Sequence, residues 1–431
     1  MKNWHRVLAG LGTGLMLTTL VAGCGSKPAD TKTAAPAASS GPVEITMWGD
    51  WSGEGANQIN TMVDAFNKAQ NKVQVKYVVQ QDMTTKFLTA ATSGTAPDVV
   101  IWDRWQTALY APKNVLAPIN DFMTKDNVPQ SDFYGEALKE LSYGGKLYGL
   151  PLTVDARALF YNKKFLDEAG VKPPTTWDEL EKVAKATTKW NGDKLERAGM
   201  SMGDVGLFSM WLKQAGGQML TADGTKTDFN NDKGLAVLNY WDKLINQDKV
   251  YKLGFEQGLG NNIDAFATGK VAMTYNGPWM LTTYKKYGKD LDFGVVPPPA
   301  GPNGAKASGM GGFGLVIPQA SKNKDAAWSF VKWWIADPAN ALMWSKTSLN
   351  INGNLKAIQD PFFQNDPFWK PFLDTLAFAS IRPTVAGYSP AEVNGVMPQL
   401  QLFLEGKQDA KTTLANAQKQ ADNLLQQNAV K

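Results

Sequence analysis

Two hydrophobic periods alternate along the segment after Pro42, and this alternation limits the possible folds more than any other feature of the chain. β-Branched, alternating stretches such as VEITMW are typical of strands, whereas the spacing of Ile59, Val63 and Phe66 is typical of an amphipathic helix. The pattern predicts strands over 43–48, 73–79 and 99–102 and helices over 56–70 and 83–93. This strand–helix order predicts a parallel α/β sheet.

Two short sequences, GDW at 49–51 and DRW at 103–105, directly follow strands of this predicted sheet. The carboxyl ends of parallel strands meet at one edge, where ligands of such sheets bind. We therefore expect both sequences on the same rim. The folded part of the chain, 43–431, is too long for one compact core and is expected to form two lobes.

The first residues have the pattern of an export signal. Lys2 and Arg6 precede an apolar run that is shorter than the ~20 residues a membrane-spanning helix needs, and LVAG then leads into Cys24. This ending resembles a bacterial lipobox, which implies that 1–23 are removed and that Cys24 becomes the lipidated N-terminus. A plain signal peptide with an incidental cysteine is the alternative. Residues 24–42 have no aromatic side chain and are predicted to be a disordered tether.

Histidine and cysteine are absent after Cys24, since His5 and Cys24 are the only ones in the sequence. The mature body therefore has no Ser–His–Asp triad, no Cys–His pair, no thiolate or imidazole metal site and no disulfide. No cofactor is expected. The calcium-loop motif D-x-[DN]-x-[DN]-G does not occur either. Chemistry that uses only carboxylates, as in glycosidases, stays open.

Charge and aromatic composition favour a small-molecule ligand over nucleic acid. Loss of the leader lowers Lys+Arg from 44 to 42 against 40 Asp+Glu, which leaves a net charge of +2. There is no polybasic run and no basic–aromatic stripe, so no nucleic-acid partner is expected. The chain has 15 Trp, and those beside Asp and Arg at strand ends suggest a ligand with flat apolar faces and polar edges.

A series of short motifs runs along 43–431. In chain order they are ITMWGDW, SGTAPDVVIWDRW, LYGLPLTVDARALFYNKKFLDEAG followed by PPTTWDEL, AFATGKVAMTYNGPW, GGFGLVIP and RPTVAGY. The order and spacing of these motifs resemble the extracellular solute-binding proteins of ABC importers, in the carbohydrate branch that includes maltose-binding protein. The resemblance implies a substrate-binding protein that captures a mono- or oligosaccharide and delivers it to an ABC permease, without enzymatic activity.

The fold that the resemblance implies is α/β, with two lobes like those of periplasmic binding proteins, a hinge of several crossing strands and a ligand cleft between the lobes. We expect the chain to cross near Thr153, near 312–313 and near 350–354. The implied lobes are 43–153 with 313–351 and 154–312 with 352–431. The protein is expected to be a monomer outside the cytoplasm, held on a membrane by its lipid anchor as in Gram-positive bacteria.

In the first lobe, the resemblance implies that Asp50 and the pair Asp103–Arg104 bind the hydroxyl edges of a sugar. Trp51 and Trp105 are the candidates for stacking on its faces. Each assignment has an alternative. Asp50 is also suited to capping a turn, Trp51 to filling the core, and Asp103–Arg104 to forming a solvated surface pair.

Near the first crossing, the resemblance implies a ligand-binding acid at Asp155. Arg157 follows at a spacing of two, so both side chains face the same side of an extended chain. Together they are expected either to bind a hydroxyl or to pair and lock the hinge. Gly311 and Gly312 allow close backbone approach, either to a ligand or between strands.

In the second lobe, Trp279 of the NGPW sequence matches the sugar-stacking tryptophan of the family. Arg382 and Tyr388 are expected where the chain returns to the cleft, and Trp211 is a further candidate for its lining. Val393 stands near the position of a stacking tryptophan in maltose-binding protein and has no ring, which disfavours a maltooligosaccharide ligand.

Two other functions stay open at this stage. An exported glycosidase or polysaccharide lyase would need two carboxylates about 5–10 Å apart, which Asp50, Asp103 and Asp155 are candidates to supply. The other is a binding protein for another solute, such as a polyamine, a peptide or glycerol phosphate. A polyamine site would need a more acidic cleft, and a phosphate site a more basic one. The mixture of acids, arginine and tryptophan favours a neutral sugar.

Overall fold

The computed structural model describes residues 41–259, 264–286 and 291–429. The predicted leader, Cys24 and the tether up to residue 40 lie outside these ranges. The strands are β1 (Val43–Gly49), β2 (Val73–Val79), β3 (Val99–Asp103), β4 (Ser142–Tyr143), β5 (Lys146–Leu147), β6 (Gly149–Pro151), β7 (Asp155–Ala156), β8 (Ala158–Asn162), β9 (Lys189–Asn191), β10 (Lys194–Arg197), β11 (Met273–Asn276), β12 (Phe293–Val296), β13 (Ser308–Gly311), β14 (Phe313–Val316) and β15 (Ala379–Ser380).

Helices connect and cover these strands. They are α1 (Glu54–Ala69), α2 (Met83–Ser93), α3 (Thr107–Tyr110), α4 (Asn120–Lys125), α5 (Gly135–Glu140), α6 (Lys163–Glu168), α7 (Trp177–Thr187), α8 (Phe208–Gln214), α9 (Asp232–Asp242), α10 (Met280–Lys286), α11 (Lys324–Val331), α12 (Pro338–Ser348), α13 (Pro361–Asn365), α14 (Trp369–Leu376), α15 (Tyr388–Pro390), α16 (Met397–Leu404) and α17 (Ala410–Gln427). Wider π-helical turns continue α9 over Lys243–Gln247 and α11 over Lys332–Ala336.

The first sheet contains the predicted parallel unit. Its strand order is β2-β1-β3-β14-β6, with β1 parallel to both β2 and β3. The late strand β14 joins antiparallel to β3 and β6, so the sheet is mixed rather than wholly parallel. Helix α1 buries the residues that its spacing predicts, which are Ile59, Met62, Val63 and Phe66. Each large apolar side chain buried in this way contributes about 1.5–3 kcal/mol to folding.

A second sheet has the order β11-β8-β12, and both of its pairings are antiparallel. One expected element next to it is wrong. The sequence pattern predicts a helix over 260–268, but residues 265–269 form turns. Residues 260–263 of that expected helix lie outside the described ranges.

A third, small sheet has the order β15-β13-β7 and forms the hinge. Its strand β13 is followed directly by β14 of the first sheet, with only Gly312 between them, at φ 124°. The Thr153 amide donates to the Phe313 carbonyl (3.1 Å), and the Val154 amide donates to the Ile351 carbonyl (2.8 Å). The three segments expected to cross between the lobes therefore lie side by side.

Separate hydrophobic cores support these sheets. One core packs around β1, β3 and α1, a larger one includes α7–α9 and α17, and a third lies around β8 and α14. Two lobes with their own cores and a thin hinge between them are the architecture expected from the chain length. None of the helices formed by the described residues is both long and apolar enough to span a bilayer.

Candidate functional site: a cleft between the two lobes

A cavity of ≈ 1040 Å³ is lined by the rim of the first sheet, by the hinge strands and by the second lobe. This volume is at the upper end of the ~300–1,000 Å³ typical of ligand pockets. Most of the residues predicted from the sequence line this cavity, which are Trp51, Asp103, Trp105, Asp155, Arg157, Trp279, Gly311, Gly312, Arg382 and Tyr388. Asp50, Arg104 and Trp211 do not line it.

Asp103 is the last residue of β3, and its half-buried side chain reaches the cavity. Burial raises the pKa of this carboxyl, and the nearby charge of Asp50 raises it further. A hydrogen bond from Trp105 and the positive charges of Arg382 and Arg104 oppose that rise. Cations from both lobes therefore surround this acid, which suits it to accept a hydrogen bond from a ligand hydroxyl.

Arg104 does not contact the cavity, and the prediction that it binds the sugar edge is wrong in this structure. Its side chain is fully buried beside Glu140, with Nε at 3.1 Å from Oε2. Its Nη1 donates to the Thr153 carbonyl, and its Nη2 donates to the Gly311 carbonyl at 2.5 Å. These contacts leave it no surface for a ligand, and they equally rule out a solvated surface pair with Asp103.

Asp155 lies on the hinge strand β7 and is 8% exposed. Its Oδ2 accepts a hydrogen bond from Thr153 Oγ1 at 3.1 Å, whereas Oδ1 has no partner among the described residues. Burial raises the pKa of Asp155 to about 6, with the charge of Arg104 as the main opposing effect. A buried carboxylate oxygen without a partner is an unsatisfied acceptor, and a hydroxyl donor that reached it would satisfy it.

Trp279 and Arg157 form a pair on the second-lobe side of the cavity. The Arg157 guanidinium carbon lies 4.6 Å from the centroid of the Trp279 ring, within the range of a cation–π contact. The ring lies over Gly277, where any Cβ would collide with it. Glycine at position 277 therefore lets the NGPW turn hold this ring at the cavity wall.

Trp105 and Arg382 form a similar pair that joins the two lobes. The Arg382 guanidinium carbon lies 4.6 Å from the Trp105 ring centroid, and its Nε donates to Glu392 at 2.7 Å. On the first-lobe side, Trp51 is half-buried and stacks on Trp344, with centroids 5.8 Å apart. The side chains of Trp51, Trp105 and Trp279 thus give the cavity apolar walls from both lobes.

The two glycines that follow β13 have different roles. A Cβ on Gly311 would meet no atom within 4 Å, so this backbone faces open space beside the cavity. A Cβ on Gly312 would lie 2.5 Å from Arg104 Nη1 and would also collide with the Thr153 carbonyl. Of the two alternatives considered, Gly312 therefore serves close approach between strands, and Gly311 leaves room for a ligand.

Tyr388 borders the cavity but is only 2% exposed, and its hydroxyl has no partner among the described residues. Trp211 is a correction to the predicted set. It is 2% exposed and packs against Trp177 and Tyr275 in the core of the second lobe. Asp50 is exposed and outside the cavity lining, so its assignment as a ligand residue stays a prediction.

Several polar lining residues were not found from the sequence. Ser209 and Lys213 lie four residues apart on α8, and both line the cavity. Lys213 Nζ donates to Ser380 Oγ, and burial lowers the pKa of this amine, as does the charge of Lys139. The helical period of the sequence could have indicated these two residues. Most residues of α8 are buried, and positions 209 and 213, which are four apart, lie together on the remaining face of the helix.

The cavity offers carboxylates, cations and aromatic faces rather than a metal site. No group of three or more His, Cys, Asp or Glu suited to a metal ion occurs within residues 41–259, 264–286 and 291–429. Acceptors such as Asp103 and Asp155 suit hydroxyl donors, Arg157 and Lys213 suit hydroxyl acceptors, and the rings suit the C–H faces of a pyranose.

Comparison with known proteins agrees with this geometry. A family model described as bacterial extracellular solute-binding protein matches residues 29–341. The maltotriose-binding protein of Pyrococcus abyssi is 26% identical over 347 residues, which cover 80% of this chain and 74% of the relative. The maltooligosaccharide ABC transporter solute-binding lipoprotein of Streptococcus pneumoniae is 28% identical over an alignment of 447 positions, which covers 96% of this chain and 96% of the relative.

Solved structures share the fold. The GacH receptor of Streptomyces glaucescens, which has been solved without ligand and with acarbose, superposes with a TM-score of 0.80 at 27% identity. The match covers 89% of this chain and 99% of that receptor. The two-lobe α/β architecture is thus common to the chain and to a receptor that has been solved with acarbose.

Proposed function

Because the chain belongs to the bacterial extracellular solute-binding proteins, whose family model matches residues 29–341, we propose that it is the sugar receptor of an ABC importer. It captures a mono- or oligosaccharide in the cleft between its lobes and delivers it to the permease. The relatives named above bind maltotriose, maltooligosaccharide and acarbose, which supports an oligosaccharide as the ligand class.

One observation carries this proposal. Asp155 lines a cavity that Trp51, Trp105 and Trp279 also line, and its buried Oδ1 has no hydrogen-bond partner among the described residues. A sugar donates hydroxyl protons at its edge and offers apolar C–H surface on its faces, so it satisfies both features at once. The cavity volume of ≈ 1040 Å³ allows a ligand longer than one sugar ring.

Ligand delivery follows from the hinge. The strands β13 and β14 join two sheets through Gly312, so rotation of a few backbone dihedrals changes the angle between the lobes. A sugar that contacts both lobes binds the closed form better than the open form, and it shifts the population toward the closed form for that reason. The permease then recognises the closed form.

The N-terminal segment completes the proposal. Cleavage after residue 23 leaves Cys24 as a lipidated residue, and 24–42 tether the folded body to the outer face of the membrane of a Gram-positive cell. The body acts as a monomer. Its proposed lobes are 43–153 with 313–351 and 154–312 with 352–431, in line with the membership of the first and second sheets.

The test is a titration of the purified protein with a panel of mono- and oligosaccharides, maltooligosaccharides included, with intrinsic fluorescence as the signal. Ring stacking in the cavity is expected to give a saturable change at micromolar sugar. The sugar is recovered afterwards and analysed for cleavage, since a receptor returns it intact and a glycosidase does not. A lack of response to every sugar, or any turnover, would contradict the proposal.

A further inference from the structure

Arg104 is buried where the first lobe meets the hinge. Its two terminal nitrogens donate to the carbonyls of Thr153 and Gly311, which belong to two different crossing segments. Its Nε lies 3.1 Å from the buried Glu140 carboxylate. One side chain of the first lobe therefore joins both of these hinge segments through charge-assisted hydrogen bonds.

The contacts continue from Arg104 to the cavity. Thr153 Oγ1 donates to Asp155 Oδ2 at 3.1 Å and accepts from the Phe313 amide at 3.0 Å. The other oxygen of Asp155 has no partner among the described residues and belongs to a cavity-lining side chain. A connected series of contacts thus runs from Glu140 through Arg104 and Thr153 to the carboxylate of Asp155, a residue of the cavity wall.

The backbone is adapted to this arrangement at one position. Gly312 has φ 124°, and a Cβ there would lie 2.5 Å from Arg104 Nη1. The Arg104 amide also donates to the Gly312 carbonyl at 3.3 Å. The guanidinium therefore occupies space that a side chain at position 312 would need.

The charges that face Asp155 come mainly from Arg104. Burial raises the pKa of Asp155, Arg104 and Arg157 oppose that rise, and Asp103 adds to it. Strand β13, which pairs with β7, has the sequence SGMG and carries no charged residue. Helix α14 also packs near β7, but its charged residues are exposed and pair with each other. Arg104 is thus the largest favourable charge for the ionised form of Asp155.

We propose that Arg104 is a positioning residue, which fixes the hinge carboxylate Asp155 toward the ligand and supplies the positive charge that keeps it an acceptor. The inference rests on the proposed function, since it assigns Asp155 to the sugar. It differs from the role first expected of Arg104, because the guanidinium acts from behind the cavity wall rather than on the ligand.

The test follows the Asp155 carboxyl by ¹³C NMR in the ligand-free protein, with Asp155→Asn to identify its signal. In Arg104→Met, loss of the largest favourable charge for the ionised form of Asp155 is expected to raise the titration midpoint of Asp155 by about 1–3 units. Arg104→Met/Glu140→Leu removes both buried charges together, so it is the better-folding version of the same test. An Asp155 midpoint equal to the wild-type value in these variants would overturn the inference.

Sugar affinity measured against pH gives the second readout. Wild-type affinity is expected to fall as the pH drops through about 6, and the midpoint of that fall is expected to move up with the NMR midpoint in Arg104→Met. Affinity lost equally at every pH, with an unmoved midpoint, would reduce Arg104 to a structural role. The two proposals fail separately, because the NMR titration needs no sugar and a protein that binds no sugar refutes only the proposed function.

Discussion

Gly312 has no room for a side chain, and Gly312→Ala is expected to destabilise the folded protein strongly. The φ of 124° lies in a region that costs other residues about 1–3 kcal/mol. The new methyl group would also meet Arg104 Nη1 at 2.5 Å and the Thr153 carbonyl, and overpacking of this kind costs about 1–3 kcal/mol. The free energy of unfolding is therefore expected to fall by about 2–6 kcal/mol.

Gly311→Ala is the matched control, because it makes the same chemical change one residue earlier. A Cβ at position 311 meets nothing within 4 Å, and its φ is not among the positive values. Its effect on the free energy of unfolding is expected to stay within about 0.5 kcal/mol. The added methyl group points to open space beside the cavity, so the cost should appear in sugar affinity instead.

Urea denaturation followed by far-UV circular dichroism measures both variants. If Gly312→Ala lowers the urea concentration at the midpoint of unfolding but leaves the slope of free energy against urea unchanged, then the substitution has changed stability. A changed slope would instead indicate a change in the compactness of the native or the unfolded state. Equal midpoints for Gly311→Ala and Gly312→Ala would refute the reasoning, because it rests on the crowding and the positive φ that position 312 has and position 311 lacks. A large loss for Gly311→Ala alone would refute it as well.

Three further predictions concern the site and the anchor. Trp279→Ala is expected to lower sugar affinity about 30-fold or more, while the melting temperature of the ligand-free protein stays nearly constant. The control is Trp190→Ala, at a tryptophan outside the cavity that donates to the Lys249 carbonyl; it should lower the melting temperature and leave sugar affinity unchanged. Asp155→Asn is expected to raise the free energy of unfolding by about 2–3 kcal/mol near pH 8. The reason is that the pKa of Asp155 is about 6 in the folded protein and about 4 in the unfolded chain, so the ionised carboxylate destabilises the fold above pH 6. A gain in stability that persists below pH 4 would contradict this. Cys24→Ser should release the protein into the medium, as cell fractionation would show, and continued membrane attachment would disprove the lipid anchor.

The strands and helices that position the site were predictable because their side chains repeat with a clear period. Helix α1 buries four residues at the expected spacing, and α2 has the predicted bounds Met83–Ser93. The rim was predictable for the same reason, since β3 ends at Asp103. The helix expected over 260–268 was wrong in the part that the structure describes, because apolar residues at helical spacing also fit the turns formed by residues 265–269.

The direction of individual rim residues was the harder problem. Alternation along an extended chain puts Asp155 and Arg157 on one side, and both line the cavity as predicted. The rule does not extend past Asp103, because residues 104–106 form a 3₁₀-helical turn directly after β3; Asp103 and Trp105 line the cavity, and Arg104 is buried behind it. The resemblance to a sugar-binding pair led to the opposite expectation for Arg104.

Trp211 shows a limit of a different kind. A tryptophan on an amphipathic helix is equally suited to packing in a hydrophobic core and to stacking on a sugar ring. Which of the two it does depends on the elements that pack around it. Trp177, Tyr240 and Tyr275 enclose its ring in this structure. These contacts join residues far apart in the chain, so no local pattern contains them.

Two buried carboxylates of this protein, Glu140 and Asp155, lie where function, rather than stability, explains them. Among the described residues, the buried carboxylate oxygens without a partner are Glu140 Oε1 and Asp155 Oδ1. Burial raises the pKa of Glu140 to about 7 and that of Asp155 to about 6, so both ionised forms cost folding free energy at neutral pH. An apolar pair in place of Arg104 and Glu140 would avoid much of that cost. The costly groups nevertheless lie together at the hinge, next to the cavity, and a ligand hydroxyl that satisfies Asp155 in the closed form would recover part of the cost on binding. The folding free energy that the ionised Asp155 costs in the ligand-free protein is then partly regained on binding, and this gain adds to the free energy that favours closure around the ligand.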